Sequence, residues 1–170
     1  MAAGSPSPTG QPSGRSAARV AAAQALYQIE LTGVSAERAL GEFLEHRAKG
    51  DEDGAAIAGA DRALFAEIVR GVAARREEVD SMVAASLAEG WALDRLDKVV
   101  CAILRAGAFE LLSRAKSPAR VVINEYVDVA HAFFEDKEPG FVNGVLDRLA
   151  RIVRPQEMKE APREPAQDSG

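Results

Sequence analysis

Val99-Val-Cys-Ala-Ile-Leu-Arg-Ala-Gly-Ala-Phe-Glu-Leu-Leu112 carries only two charges, Arg105 and Glu110. Its apolar residues fall on every side of a helical projection, where a surface helix would show a single stripe. A helix of this kind belongs at the centre of the molecule, enclosed by others. Its longest uninterrupted apolar run, Val99 to Leu104, is far below the roughly 18 residues a membrane span needs. Asp94, just upstream, is expected to cap it.

Helical signals continue on both sides. Downstream, Ser117 and Pro118 form a cap and first-turn pair, and Val122, Tyr126, Val129 and Phe133 then share a stripe. Pro139 opens a last helix whose Val142, Val145, Leu146, Leu149, Ile152 and Val153 share a face, with Arg148, Arg151 and Arg154 along the far side. Upstream, Arg15 to Leu31 reads as a helix ended by Gly33, and Ser35 caps a second through Leu40, Phe43 and Leu44. Lys49 to Gly59 is polar and glycine-punctuated, a loop. Asp61 caps a third helix through Leu64, Phe65, Ile68, Val69 and Val72, and Val79, Met82, Val83 and Leu87 mark a fourth that Gly90 ends. β-branched residues rarely alternate with polar ones, and no proline falls between Gly14 and Ser117. The expectation is an all-α protein of about seven helices around a central apolar one.

Both ends read differently from this body. Residues 1–14 interleave Gly and Pro with serine, and residues 156–170 mix Pro, Glu and Gln. Such compositions bury too little apolar surface to offset the entropy of ordering. We therefore expect disordered tails at 1–14 and 156–170 flanking one helical domain at 15–155. The net charge of −5 in 170 residues argues against a generic polyanion binder. The sum hides a distribution, however: Arg15 and Arg19 precede the first acid, Glu30, and Arg114, Lys116 and Arg120 fall in an acid-free stretch.

Little in the sequence suggests catalysis. No glycine-rich nucleotide-binding motif is present. The lone Cys101, inside an apolar run, reads as a buried structural residue rather than a nucleophile served by His131. One cysteine with His46 and His131 makes no zinc pattern, and the acidic pairs Glu77–Glu78 and Glu135–Asp136 sit in polar stretches that suit solvated helix faces. No catalytic residue, metal, cofactor or small-molecule substrate is expected. Nothing marks a secretion signal or membrane span, so the expected location is the cytoplasm.

Binding has better handles. Arg15 and Arg19 stand one turn apart at the start of the first helix. Phe141 lies about 100° off the apolar stripe of the last helix, in its first turn, where free N–H groups face outward. Lys137 adds a cation one turn earlier. Charge beside an aromatic ring suits single-stranded nucleic acid, although Phe141 could equally pack on a neighbouring helix.

These same residues carry a resemblance. Arg15-Ser-Ala-Ala-Arg19 leading into Gln24-Ala-Leu-Tyr27, then Ala102-Ile-Leu-Arg105 with Phe109-Glu-Leu, Val122-Ile-Asn-Glu125, and Phe141-Val-Asn-Gly-Val-Leu-Asp147 resemble, in order and spacing, the NusB transcription antitermination factors. The resemblance spans about Arg15 to Pro155. It implies two packed helical subdomains that bind single-stranded boxA RNA of ribosomal RNA leaders together with NusE, a small-subunit ribosomal protein. It also implies indirect association with other Nus factors and RNA polymerase. By position, Arg15 and Arg19 would meet phosphates, Tyr27 and Phe141 bases or sugars, with Lys137 beside them, and Gln24 and Asn143 would supply hydrogen bonds. Asn124 and Glu125 are structural in this reading. Asp94, Asp97, Val100 and Glu110 would lie toward the protein partner. Ser16 and Ala17 replace arginines common in the family, and Val100-Cys101 replaces an acidic–basic pair near the NusE-binding surface.

Two rivals are an RNA-binding module like the amino-terminal domain of RsmB-type ribosomal RNA methyltransferases and a helical adaptor that binds only protein. The first would need a further domain with a cofactor site and catalytic cysteines, whereas this chain is expected to end in a polar tail.

Overall fold

The computed structural model describes residues 14–48, 61–113 and 117–159. The expected loop at Lys49 to Gly59 lies outside them, as do residues 1–13 and 160–170 of the expected tails. The described residues form eight α-helices and one 3₁₀ turn, without strands.

The amino-terminal layer is α1 (Gly14–Thr32), α2 (Ala36–Ala48) and α3 (Arg62–Ala74). α1 buries Ala17, Ala18, Ala21, Ala22, Ala23 and Ala25, small side chains that let α3 and the central helix approach its backbone closely. Its end and the next two starts follow the sequence reading. Gly33 takes φ 72°, Ser35 Oγ accepts from Arg38 N–H at 3.1 Å, and Asp61 Oδ1 accepts from Leu64 N–H at 3.0 Å. Each side-chain cap satisfies an amide that the helix itself leaves unpaired.

α4 (Arg76–Ser86) stops short of the expected Gly90. The backbone is already extended at Leu87, and Gly90, at φ 90°, makes the later turn that an L side chain would strain. The 3₁₀ turn Leu93–Arg95 follows, then the central α5 (Lys98–Ser113). Asp97 caps α5 in place of the expected Asp94, its Oδ1 accepting from Val99 and Val100 N–H at 2.8 and 3.2 Å. Every residue from Val100 to Leu111 is buried, and α5 packs against α1, α3 and α4 as well as the two long helices that follow it.

Those two are α6 (Ala119–Phe133) and α7 (Glu138–Val153), and α8 (Pro155–Lys159) closes the described chain. Ser117 does not cap α6. Glu157, on α8, accepts from Ala119 N–H at 3.2 Å instead. α8 also corrects the expected boundary at 155, because Met158 is buried against the core. Arg154 is not on a solvated face: its guanidinium donates to the carbonyls of Leu111 at 2.9 Å and Glu110 at 3.1 Å, and to that of Ser117. A cation there meets the unpaired carbonyls and negative end of α5. Ile152, expected on the buried face of α7, is 54% exposed, and Ala150 is buried instead.

Candidate nucleic-acid interface

The first turn of α1 is tied down from three directions. Asp61 N–H donates to Gly14 O at 2.8 Å, and Ser16 Oγ donates to Glu125 Oε2 at 2.9 Å. Arg19 donates through Nε and Nη2 to the two oxygens of Glu110 at 2.9 and 3.0 Å, and its Nη1 lies 3.4 Å from Glu125 Oε2. Arg19 is 3% exposed and Glu110 fully buried. Burial disfavours the Arg19 charge, but the hydrogen bonds and charge of Glu110 outweigh it and raise the guanidinium pKa. The Tyr126 hydroxyl lies close to the same pair and has no hydrogen-bond partner among the described residues. Burial first, and then Glu110, push its pKa well above the usual tyrosine value.

This pairing corrects two expectations at once. Arg19 is not a free phosphate contact, and Glu110 is not on a partner-facing surface. The sequence held the signal: a lone carboxylate in a helix apolar all round needs a cation brought to it by the fold. Arg15 remains exposed on the anchored turn, and Gln24 is exposed further along α1. Tyr27 is half-buried, packed against the core.

At the other long helix, Lys137 is exposed at the N-cap of α7, and its own side chain makes no capping hydrogen bond. Phe141 N–H returns to Lys137 O at 3.1 Å, so the two side chains stand one turn apart on one face. Phe141 is half-buried, its ring 5.3 Å from that of Trp91 and tilted by 48°. Asn143 is exposed, two residues on and turned away from Phe141. The structure thus sets Phe141 against an aromatic residue the sequence reading passed over. α1 and α7 both pack on α5 and α6.

Of the residues expected toward a protein partner, Asp94 and Asp97 are exposed, with Asp97 already used as a cap, while Val100 is 4% exposed and therefore inaccessible. Glu30, Asp80, Leu93, Asp94, Leu96, Lys98, Cys101 and Arg105 line a cleft of about 410 Å³. Three of these residues join Arg76 in an ion-pair network: Arg105 Nε to Asp80 Oδ1, Arg76 Nε to Asp80 Oδ2 and Arg76 Nη2 to Glu30 Oε2, each at 2.8 Å. Burial pushes the Asp80 pKa up, but Arg105 and Arg76 outweigh it and hold the carboxyl below its ordinary value. Cys101 directs its thiol at the Leu93 carbonyl, 3.4 Å away, and burial pushes that thiol's pKa up. A thiol held protonated is a poor nucleophile.

A family model described as the NusB family matches residues 16–151. The chain belongs to the NusB family. It is 49% identical over 140 residues to the transcription antitermination protein NusB of Caulobacter vibrioides, covering 82% of this chain and 94% of that one. It is 51% identical to the NusB of Novosphingobium aromaticivorans over the same length, with 82% and 95% covered. Among solved structures it is similar to T. maritima NusB, with a TM-score of 0.70 at 29% identity, covering 86% of this chain and 97% of that one. It is also similar to a chain in a crystal structure of antitermination factors NusB and NusE in complex with double-stranded RNA. There the TM-score is 0.66 at 28% identity, with 81% and 96% covered. The matched NusB range holds the Arg19–Glu110 pair and the Trp91–Phe141 contact, while Arg15 lies one residue before it. No helix among the described residues is long and apolar enough to cross a membrane.

Proposed function

We propose that this chain is a transcription antitermination factor that, with NusE, holds boxA RNA of ribosomal RNA leaders and so supports processive transcription of those operons. The observation that carries this reading is the match, at about half identity over nearly the whole helical body, to proteins named for that activity. The fold it shares with the NusB of a NusB–NusE–RNA complex supports the choice of partners.

In this reading Arg15 neutralises phosphate, Phe141 stacks on a base with Lys137 beside it, Tyr27 meets a base or sugar by its exposed edge, and Gln24 and Asn143 donate or accept hydrogen bonds. Arg19 acts indirectly, by fixing the turn that presents Arg15. Asp94 and the mouth of the neighbouring cleft face NusE. The protein works in the cytoplasm by holding RNA and protein together, and it catalyses no reaction. Other Nus factors and RNA polymerase join through this complex.

Transcription of a template with boxA upstream of a terminator, in the presence of RNA polymerase, NusE and the other Nus factors, tests the reading. Adding this chain is expected to raise read-through on that template and leave one with a scrambled boxA unchanged. Equal read-through on both templates, or none on either, would refute it.

A further inference from the structure

Trp91 is 57% exposed, a large apolar ring left in water on the connection between α4 and α5. That connection is shaped rather than loose. Gly90 turns the chain at φ 90°, Trp91 N–H donates to Ala88 O at 3.1 Å, and the 3₁₀ turn Leu93–Arg95 follows at once. Packing of α4 against α7 sets this connection beside the first turn of α7. Phe141 there holds the indole by one side, with centroids 5.3 Å apart. Much of the remaining ring surface is open.

We propose that Trp91 is an RNA-contacting residue, its open ring extending the Phe141 surface into a two-ring platform on which unpaired bases stack. The inference rests on the RNA-binding reading above. RNA is the occupant favoured because the platform is continuous with Phe141 and Lys137, the residues to which that reading already gives RNA. The flanking charges, Glu89 and Asp94 against Arg95, leave this connection without an excess of positive charge. Its contribution is therefore stacking, which works through the ring face of any base and adds little to phosphate neutralisation.

The test uses the fact that Trp91 is the single tryptophan of the chain. Its fluorescence is followed while single-stranded boxA RNA is added to the full-length protein. The affinity of labelled RNA for the protein with NusE is then compared between wild type, Trp91→Ala and Trp91→Phe at several salt concentrations. Expected are quenching by the single strand but not by the same sequence in a duplex, and a loss of at least about fivefold in affinity for Trp91→Ala, the low end for a stacked base. Most of that loss should be recovered in Trp91→Phe, with the dependence on salt unchanged in both. Unaltered affinity of Trp91→Ala, or an indole signal that answers to NusE and not to RNA, would overturn the proposal while leaving the RNA reading in place. Failure of the wild type to bind RNA under either condition would overturn both.

Discussion

Removing the Arg19 guanidinium strips Glu110 of two hydrogen bonds in a site water does not reach. Breaking one side of such a pair typically costs about 3–5 kcal/mol, because the other charge stays buried without its partner. Arg19→Ala is therefore expected to lower stability by that order in urea unfolding; a change below about 1 kcal/mol would show that Glu110 finds another partner. Arg15, one turn earlier and exposed, is expected to behave in the opposite way. Arg15→Ala should leave unfolding unchanged and reduce the slope of log K for RNA on log salt by about 0.7, the value for one phosphate contact on a single strand. An unaltered slope would remove Arg15 from the interface. The sequence set both arginines one turn apart at the start of α1 and could go no further, since periodicity assigns a residue to a face without naming what waits there. The same limit hid Trp91, which lies in a connection where no periodicity speaks.

Helix ends and helix crossings were legible to different degrees. Ser35 and Asp61 cap as their spacing predicts, because an N-cap bond is local. Asp97, three residues beyond the expected Asp94, is a local cap the reading misplaced, while two others come from afar: Glu157 reaches the start of α6, and Arg154 reaches the end of α5 across 43 residues to Leu111. Arg154→Ala would leave the carbonyls of Glu110 and Leu111 without that donor, and the loss of charged hydrogen bonds of this kind costs about 1.5–3 kcal/mol each. Thermal unfolding should show it, and wild-type stability in this variant would mean that water replaces the guanidinium. The crossing of α3 and α5 depends on Gly71, where a Cβ would collide with the ring of Phe109. Gly71→Ala is expected to destabilise the fold by about 1–3 kcal/mol, the usual range for overpacking, despite alanine's better helix propensity. Unchanged or raised stability in urea would show that the Phe109 ring moves aside freely.

At the scale of the molecule, the helical class and the central position of α5 followed from a single apolar stretch, whereas the charged network binding α1, α4 and α5 emerged only from the packing. That network makes stability depend on pH. The Asp80 carboxyl is held below its ordinary pKa, so its contribution is complete above the unfolded-state value of about 3.9 and is lost as pH falls through the lower folded value. Tyr126 has the opposite sign. With its pKa raised, its contribution is complete below about 10 and fades as pH rises and the unfolded chain ionises first. Unfolding free energy should thus fall at both extremes, with Asp80→Asn flattening the acid limb and Tyr126→Phe the alkaline one. Limbs that survive these substitutions would assign the dependence to other groups.

The central claim is that this helical body, with NusE, recognises boxA RNA. Titration of labelled boxA RNA with the full-length protein, alone and with purified NusE, beside a scrambled RNA and at two salt concentrations, tests it most directly. The account predicts binding that NusE strengthens, that prefers boxA over the scrambled sequence and that weakens as salt rises. Capture of NusE without any RNA binding, or equal affinity for both RNAs, would contradict it.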